Sequence, residues 1–312
     1  MEDYIKVLKD IACIKKTFED SFEKQLHVLK VPCPLFVKSS SGLQDELTGT
    51  EQAVSFMKGR EKFEIVQSLA KWKREALGRY GFEKYEGIYT DMKAIRKDEE
   101  IDEIHSLLVE QWDWEKVIDK EDRNIDYLKK TVNEIYSVIL SVAEKFDVSL
   151  AEQVYFIDSQ DLEDLYPDDT PKIREQKIVQ KYKTVFIMRI GGLLNSGIEH
   201  DLRSPDYDDW NLNGDLLIWD DILNKEIEIT SMGIRVDENS LEEQLKAKGC
   251  LSKLNLPYHD MVKNKKLPYT IGGGIGVSRI YLLMLQKKHI AEVQASSWDN
   301  KTLERIKKYN IL

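Results

Sequence analysis

Asp215 and Glu228 lie on two short stretches, Asn213–Trp219 and Lys225–Thr230, that read as strands around the turn DDILN. Pairing of the two brings both carboxylates into one sheet, and the second stretch continues through Ser231-Met-Gly-Ile to Arg235. Hard oxygen ligands beside a planar guanidinium fork can hold Mg²⁺ and an anion. Arg96 ends another strand-like stretch and Arg279 opens an apolar helical run. Joining a carboxylate to the α-phosphate of ATP needs such a set. One cation neutralises the α-phosphate as it becomes five-coordinate, metal and cation hold the departing pyrophosphate, and another cation fixes the acid.

Thr270–Ile280, TIGGGIGVSRI, stands close in sequence to that hairpin and places Gly272, Gly273, Gly274 and Gly276 before Arg279. The glycines predict a sharp strand-to-helix bend and close approach to a flat ligand such as a nucleotide. A phosphate-binding P-loop would need Lys followed by Ser or Thr, and a dinucleotide fingerprint would need a glycine at Arg279. Neither is present.

The elements that must position these groups follow from spacing. Glu86–Arg96 and Leu107–Glu115 read as an antiparallel hairpin around a charged loop, with Gln111 and Asp113 on one face and Trp112 and Trp114 on the other. Phe63–Ser68 reads as a strand entering a helix, with Ser68, Lys71 and Lys73 at the junction and room for one lysine to point inward. Lys38–Glu51, KSSSGLQDELTGTE, holds Asp45 and reads either as a solvated connection or as a lid. His200–Trp210 carries Asp201, Asp206, Asp208 and Asp209 around Arg203: an amine or metal site, or merely an acidic loop. Helices are expected over Tyr4–Leu29, over Ile118–Phe146, after a Ser159 cap, and over Pro171–Tyr182. Val154–Asp158 and Thr184–Ile190 read as strands.

The chain has 312 residues, 42% hydrophobic and 33% charged, which suits a soluble globular protein of one large domain or two fused ones. With 56 acidic and 46 basic residues the net charge is −10, so neither nucleic acid nor an anionic membrane is an expected partner. Cys13, Cys33 and Cys250 have no metal-ligand spacing and read as reduced thiols of a cytoplasmic protein. The segment MEDYIKVLKDIACIKK is charged throughout, and neither a signal peptide nor a membrane span is expected.

In company these motifs resemble a known family. Arg96 at the head of its charged loop is similar to motif 2 of class II aminoacyl-tRNA synthetases, GIGVSR (Gly274–Arg279) to motif 3, and the first helix with VPCP, through Pro34, to motif 1. SLAKWKR (Ser68–Arg74), QWDWE (Gln111–Glu115), PDYDDW (Pro205–Trp210), NGD (Asn213–Asp215), SMGIRVD (Ser231–Asp237) and TIGGGIG (Thr270–Gly276) resemble, in order, the ammonia-dependent aspartate ligases of the asparagine synthetase A family. The resemblance covers essentially the whole chain. Thr230 replaces a serine and keeps the hydroxyl.

The resemblance implies an α+β fold, a class II aminoacyl-tRNA synthetase-like catalytic domain with a mainly antiparallel sheet flanked by helices, as one domain over 1–312 in a cytoplasmic homodimer. It implies a ligase of asparagine biosynthesis that turns L-aspartate, ammonia and ATP, with Mg²⁺, into L-asparagine, AMP and pyrophosphate through a β-aspartyl adenylate. By motif match, Arg96 would serve the α-phosphate, and Arg279 adenine or the terminal phosphates over Gly274 and Gly276. Asp215 and Glu228 would hold Mg²⁺. Asp45, Ser68, Lys73, Gln111, Asp113 and Arg235 would grip aspartate, with Asp208 and Ser231 completing the pocket. Asp45, on the lid, would bind the amino group or help deprotonate ammonium. Glutamine is not an expected nitrogen donor, because no cysteine-first amidotransferase segment is present. A synthetase-like enzyme for another amino acid or acceptor, a catalytically silent regulator, and a structural protein are the competing readings.

Overall fold

The computed structural model describes residues 4–48 and 51–312. Gly49 and Thr50 of the Lys38–Glu51 loop lie outside the described residues, as do residues 1–3. The first half of the chain carries α1 (Tyr4–Leu26), β1 (Val28–Lys30), β2 (Phe36–Lys38), β3 (Ser55–Lys58), β4 (Glu61–Ile65), α2 (Ala70–Tyr80), β5 (Gly87–Ile95), β6 (Leu108–Val117) and α3 (Ile125–Lys145). Then follow β7 (Tyr155–Asp158), α4 (Ser159–Leu165), α5 (Pro171–Tyr182), β8 (Thr184–Met188), β9 (Asp208–Asp220) and β10 (Lys225–Arg235). The last are α6 (Glu238–Ala247), α7 (Pro257–Lys263), β11 (Thr270–Gly276), α8 (Val277–Met284) and α9 (Asn300–Ile306).

Eight strands form one sheet in the order β1-β5-β6-β11-β10-β9-β8-β7, and β2-β4-β3 form a small second sheet. Within the large sheet, β1 with β5 and β7 with β8 run parallel, and every other pairing is antiparallel. This is the expected α+β arrangement. No helix among the described residues is long and apolar enough to cross a membrane.

One face of the large sheet is apolar because β6 alternates. Trp112 and Trp114 point to the side covered by α1 and α3, where both are fully buried. Val7, Ile14, Phe18, Phe22 and Leu26 recur on one face of α1 at helical spacing, and Phe18 stacks on Trp112 with ring centroids 4.0 Å apart. Leu128, Val132, Ile135, Ile139 and Val142 do the same on α3. The helix expected from Ile118 begins only at Ile125. Asn124 accepts a hydrogen bond from Tyr127 N at 2.9 Å and caps it there, after a turn in which Asp122 accepts from Asp119 N. Ser159 is not the cap of α4. Asp158 holds that position without a side-chain cap bond, and Ser159 Oγ donates to Arg189 O at 2.8 Å. The strand read to Ser68 ends at Ile65, which leaves Ser68 in the approach to α2.

The glycine stretch is the main correction. Residues 270–276 form a strand that passes directly into α8 at Val277, as the strand-to-helix reading expects, but the positive-φ glycines among the described residues are Gly42, Gly59, Gly81, Gly191, Gly197 and Gly249, none of them in this stretch. What β11 uses is the missing side chain. A Cβ on Gly272 would collide with the Glu115 carboxylate, lie 2.6 Å from Trp114 O and 2.7 Å from Arg235 Nη2; one on Gly274 would enter the Gln111 amide. Gly272→Ala should therefore cost about 1–3 kcal/mol of stability, read as a lower urea midpoint. Gly192→Ala, where a Cβ meets nothing within 4 Å, should stay within about 0.5 kcal/mol of the parent.

Candidate active site

The other face of the sheet is polar at its centre, between apolar clusters under α2 and under α4 and α5, and strand register lines up its side chains. Gln111, Asp113 and Glu115 of β6 lie opposite Gly276, Gly274 and Gly272 of β11. Gly274 and Gly272 lie opposite Ser231 and Gly233 of β10, and Ser231 lies opposite Asp215 of β9. A side-chain-free floor thus runs between two polar strands. Above it is a cavity of about 330 Å³, lined among others by Ser68, Arg96, Gln111, Asp113, Tyr207 and Asp208, and by Glu228, Ser231, Arg235, Gly274, Gly276 and Arg279. Small-molecule sites are of this size.

A β-bulge completes the β9–β10 side. Glu228 pairs with Leu217 and Thr230 with Leu216, so Ile229 is the extra residue. Residues three apart in a regular strand face opposite ways; the bulge turns Glu228 and Ser231 to the same side. Ser231 Oγ lies 2.6 Å from Asp215 Oδ1 and 3.1 Å from Glu228 Oε1. One hydroxyl hydrogen cannot serve two carboxylates. Burial first, and then the neighbouring Glu228, push the Asp215 carboxyl up to about 7 against the pull of Arg203. Burial acts on Glu228 too, but Arg279, Arg203 and Lys172 bring it down to about 2. Asp215 Oδ2 is paired with Arg203.

Arg96 and Arg279 stand at one end of the cavity. Arg96 Nε is buried with no hydrogen-bond partner, and its nearest carboxylate is Glu99 at 3.8 Å. Burial, and the like charge of Arg279, lower its pKa. Arg279 Nη1 donates to Glu228 O at 2.7 Å. An under-compensated guanidinium of this kind favours an anionic ligand.

The opposite end holds a compensated set of charges. Arg235 Nε and Nη2 bond the Glu115 carboxylate at 3.0 and 2.7 Å, and Nη1 bonds Asp208, which leaves a hydrogen free on each terminal nitrogen. Burial raises Glu115, but Arg235 outweighs it and holds the carboxyl below its ordinary range; at Asp208 burial wins and the pKa rises. Lys73 Nζ is paired with Asp113 and donates to Trp114 O at 2.8 Å. Asp113 also accepts from Leu69 N at 3.0 Å.

Eleven of the fourteen anticipated site residues line the cavity, while Asp45, Lys73 and Asp215 sit one layer behind it, each bonded to a lining residue. Asp45 accepts from Ser68 Oγ at 2.6 Å, Ala70 N at 2.5 Å and Lys71 N at 3.3 Å, so its carboxylate serves the N-terminus of α2. Burial raises its pKa despite Lys71. Both junction lysines are buried, not one. Lys73 enters the sheet and Lys71 pairs with Asp206 at 2.9 Å. The sequence reading gave no role to Glu115, Tyr207 or Arg203. Glu115 had a signal, since it continues the period-two series of Gln111 and Asp113.

The large, mainly antiparallel sheet with its glycine strand has the fold of solved asparaginyl-tRNA synthetases, in line with the expected class II aminoacyl-tRNA synthetase-like fold. The Entamoeba histolytica asparaginyl-tRNA synthetase in complex with asparaginyl-adenylate superposes with a TM-score of 0.67 at 15% identity, over 93% of this chain and 66% of that one. The Pyrococcus horikoshii asparaginyl-tRNA synthetase, complexed with asparaginyl-adenylate, gives 0.66 at 15% over 93% and 68%. This chain therefore spans about two thirds of those synthetases.

The family model described as aspartate-ammonia ligase matches residues 5–310. The aspartate–ammonia ligase of Fusobacterium nucleatum is 53% identical over 96% of this chain and 94% of its own. That of Clostridium perfringens strain SM101 is 54% identical over 98% and 93%. The chain belongs to the aspartate–ammonia ligase family.

The Asp215–Glu228 pair generates a pH prediction. An Asp raised to about 7 keeps its proton when folded and loses it near its ordinary value of 3.8 when unfolded, so stability falls as pH rises from about 4 to 7. Asp215→Asn mimics the protonated form and lacks this loss. Without added ligands, its stability relative to the parent should grow across that window by on the order of 2–4 kcal/mol and then level off. Urea unfolding at several pH values reads the slope; a flat difference would show that Asp215 is ionised throughout.

Proposed function

We propose that this chain joins ammonia to the side-chain carboxylate of L-aspartate at the cost of ATP. A carboxylate oxygen attacks the α-phosphorus, the bond to the β-phosphate breaks, and β-aspartyl adenylate and pyrophosphate form. The ammonia nitrogen then attacks the acyl carbon, AMP leaves, and the ammonium proton passes to a base. The observation that carries this reading is the two-ended cavity. Arg96, whose Nε has no hydrogen-bond partner, and Arg279, 4.0 Å from the Glu228 carboxylate, suit phosphates, and the compensated set of Arg235, Lys73, Asp113 and Gln111 suits a zwitterionic amino acid.

Within this reading Arg96 meets the charge that develops on the α-phosphate, and Arg279 orients the nucleotide above Gly274 and Gly276. Arg235 takes the α-carboxylate through its remaining hydrogens. Gln111, Asp113, Ser68 and Asp208 surround the amino group and the reacting acid. Asp45 and Lys73 hold Ser68 and Asp113 in place. Asp215 and Glu228 would hold Mg²⁺, which when bound supplies positive charge to the phosphates. Among the described residues no group of three or more His, Cys, Asp or Glu could hold a metal ion. Two carboxylates sharing one hydroxyl hydrogen suit an ion that takes its other ligands from phosphates and water.

The reading includes a single catalytic domain, supported by the one large sheet, and a dimer through α1 and the VPCP segment, supported by exposed Leu8, Leu29 and Leu35. A cytoplasmic location accords with three free cysteines.

The test is AMP and asparagine formation from Mg-ATP, aspartate and ammonium. Both products should appear in equal amounts and need all three substrates. Arg96→Ala should lower kcat about 10²- to 10³-fold. ATP cleavage with aspartate but without asparagine would move the acceptor elsewhere, and no turnover with any amino acid would sink the reading.

A further inference from the structure

Behind the aspartate end lies a second enclosed set of charges with no part in the chemistry above. Asp206 is fully buried and accepts from Lys71 Nζ at 2.9 Å, Ser204 Oγ at 2.8 Å and His259 Nε2 at 2.8 Å. An ionised carboxylate only accepts, so His259 carries its hydrogen on Nε2. Its Nδ1 is buried without a partner. Lys253 lies 3.8 Å from Asp206 and bonds Glu46 at 2.6 Å. Burial lowers the Lys71 ammonium pKa, but Asp206 and Asp45 together outweigh it and keep the group charged. Lys71 thus stands between two carboxylates from different segments.

These segments are the opposed walls of the aspartate end. The approach to α2 contributes Ser68 and Ala70 to the cavity; the residues immediately after Asp206, Tyr207 and Asp208, contribute the facing wall. The geometry points to Asp206, clamped by Lys71 and His259, as a positioning residue that sets the width of the aspartate-binding end. The backbone bond from Ser204 N to Leu47 O, 3.0 Å, ties the acidic loop to residues near Asp45 and reaches α2 only indirectly, through the Asp45 carboxylate. At the nucleotide end Arg279 is anchored by Glu228 O of β10, outside this loop. Loosening the clamp therefore acts on one substrate. The inference rests on the function proposed above.

The experiment is steady-state kinetics on the full chain, varying aspartate and ATP in turn, with thermal melts alongside. Lys71→Met and Asp206→Asn should each raise KM for aspartate about tenfold or more, with KM for ATP within about twofold and kcat within about threefold. Lys71→Arg should restore most of the aspartate affinity. The double variant, Lys71→Met with Asp206→Asn, removes both charges of the pair and leaves Asp45 to its hydroxyl and backbone donors, so it should melt closer to the parent than either single variant while keeping the raised KM. The idea fails if both KM values move together, if kcat falls with KM unchanged, or if the double variant recovers parental KM. It fails as well if every variant, the double one included, is unfolded, because the cluster is then scaffold only. A parent chain that makes no asparagine would overturn the function reading instead.

Discussion

Glu115 and Arg235 belong to strands that do not touch, and they meet across β11 because Gly272 between them has no side chain. The polar face depends on that contact. Two charges with 0% and 2% side-chain exposure are costly to bury singly and tolerable as a multiply bonded pair. The pair brings Asp208 with it, and so fixes the start of β9 against the end of β10. A methyl group at position 272 would take the space the guanidinium occupies. The glycines therefore act first on the protein's own charges, and their flat floor for a ligand follows from the same absence of atoms.

The two faces of the sheet constrain each other through β6. Under α1, Trp112 stacks on Phe18 and Trp114 meets Phe22 edge-on, and the intervening Asp113 and neighbouring Gln111 and Glu115 must then face the cavity. A register slip of one residue would exchange tryptophans for carboxylates. Helix packing on one side thereby sets side-chain positions on the other, and the rigid elements that hold the chemistry are those with the densest apolar contacts.

This periodic part of the site was legible in the sequence. QWDWE alternates openly, the β9–β10 hairpin follows from its short turn and the β5–β6 hairpin from strand-like stretches on either side of a charged loop, and Arg96, Arg279, Asp215 and Glu228 stand out as charges next to strand ends and glycines. Three features were not legible. The bulge at Ile229 carries no glycine or proline signal, yet it decides that Glu228 faces Ser231. Asp45 sits in a Ser- and Gly-rich stretch that reads as a loop, while its partners Ser68 and Ala70 lie 23 and 25 residues on. Lys71 and Lys73 occupy positions two apart on a helix, which rarely share a buried fate. Both are inside because carboxylates 135 and 40 residues away meet them from different directions. Local pattern carries no information at that range. The glycines misled for a related reason, since close approach and tight turning call for the same residue and only the neighbouring strands show which is in force.

The charge balance around the cavity also orders the ligands it can take. At the aspartate end every ion has a partner within the protein, so a ligand there must be nearly neutral overall and bind through directional bonds to hydrogens and lone pairs left over. At the nucleotide end Arg96 lacks a partner for Nε and is opposed by Arg279, so an anion relieves an existing cost. Between them, Asp215, Ser231 and Glu228 share one hydroxyl hydrogen, and burial keeps a proton on Asp215 up to about 7. Asp215 and Glu228 would hold a cation there within the proposed function, and its positive charge would favour the ionised form of Asp215. The three regions thus differ in charge balance along one floor, and that order is what the proposed placement of amino acid, cation and phosphates rests on.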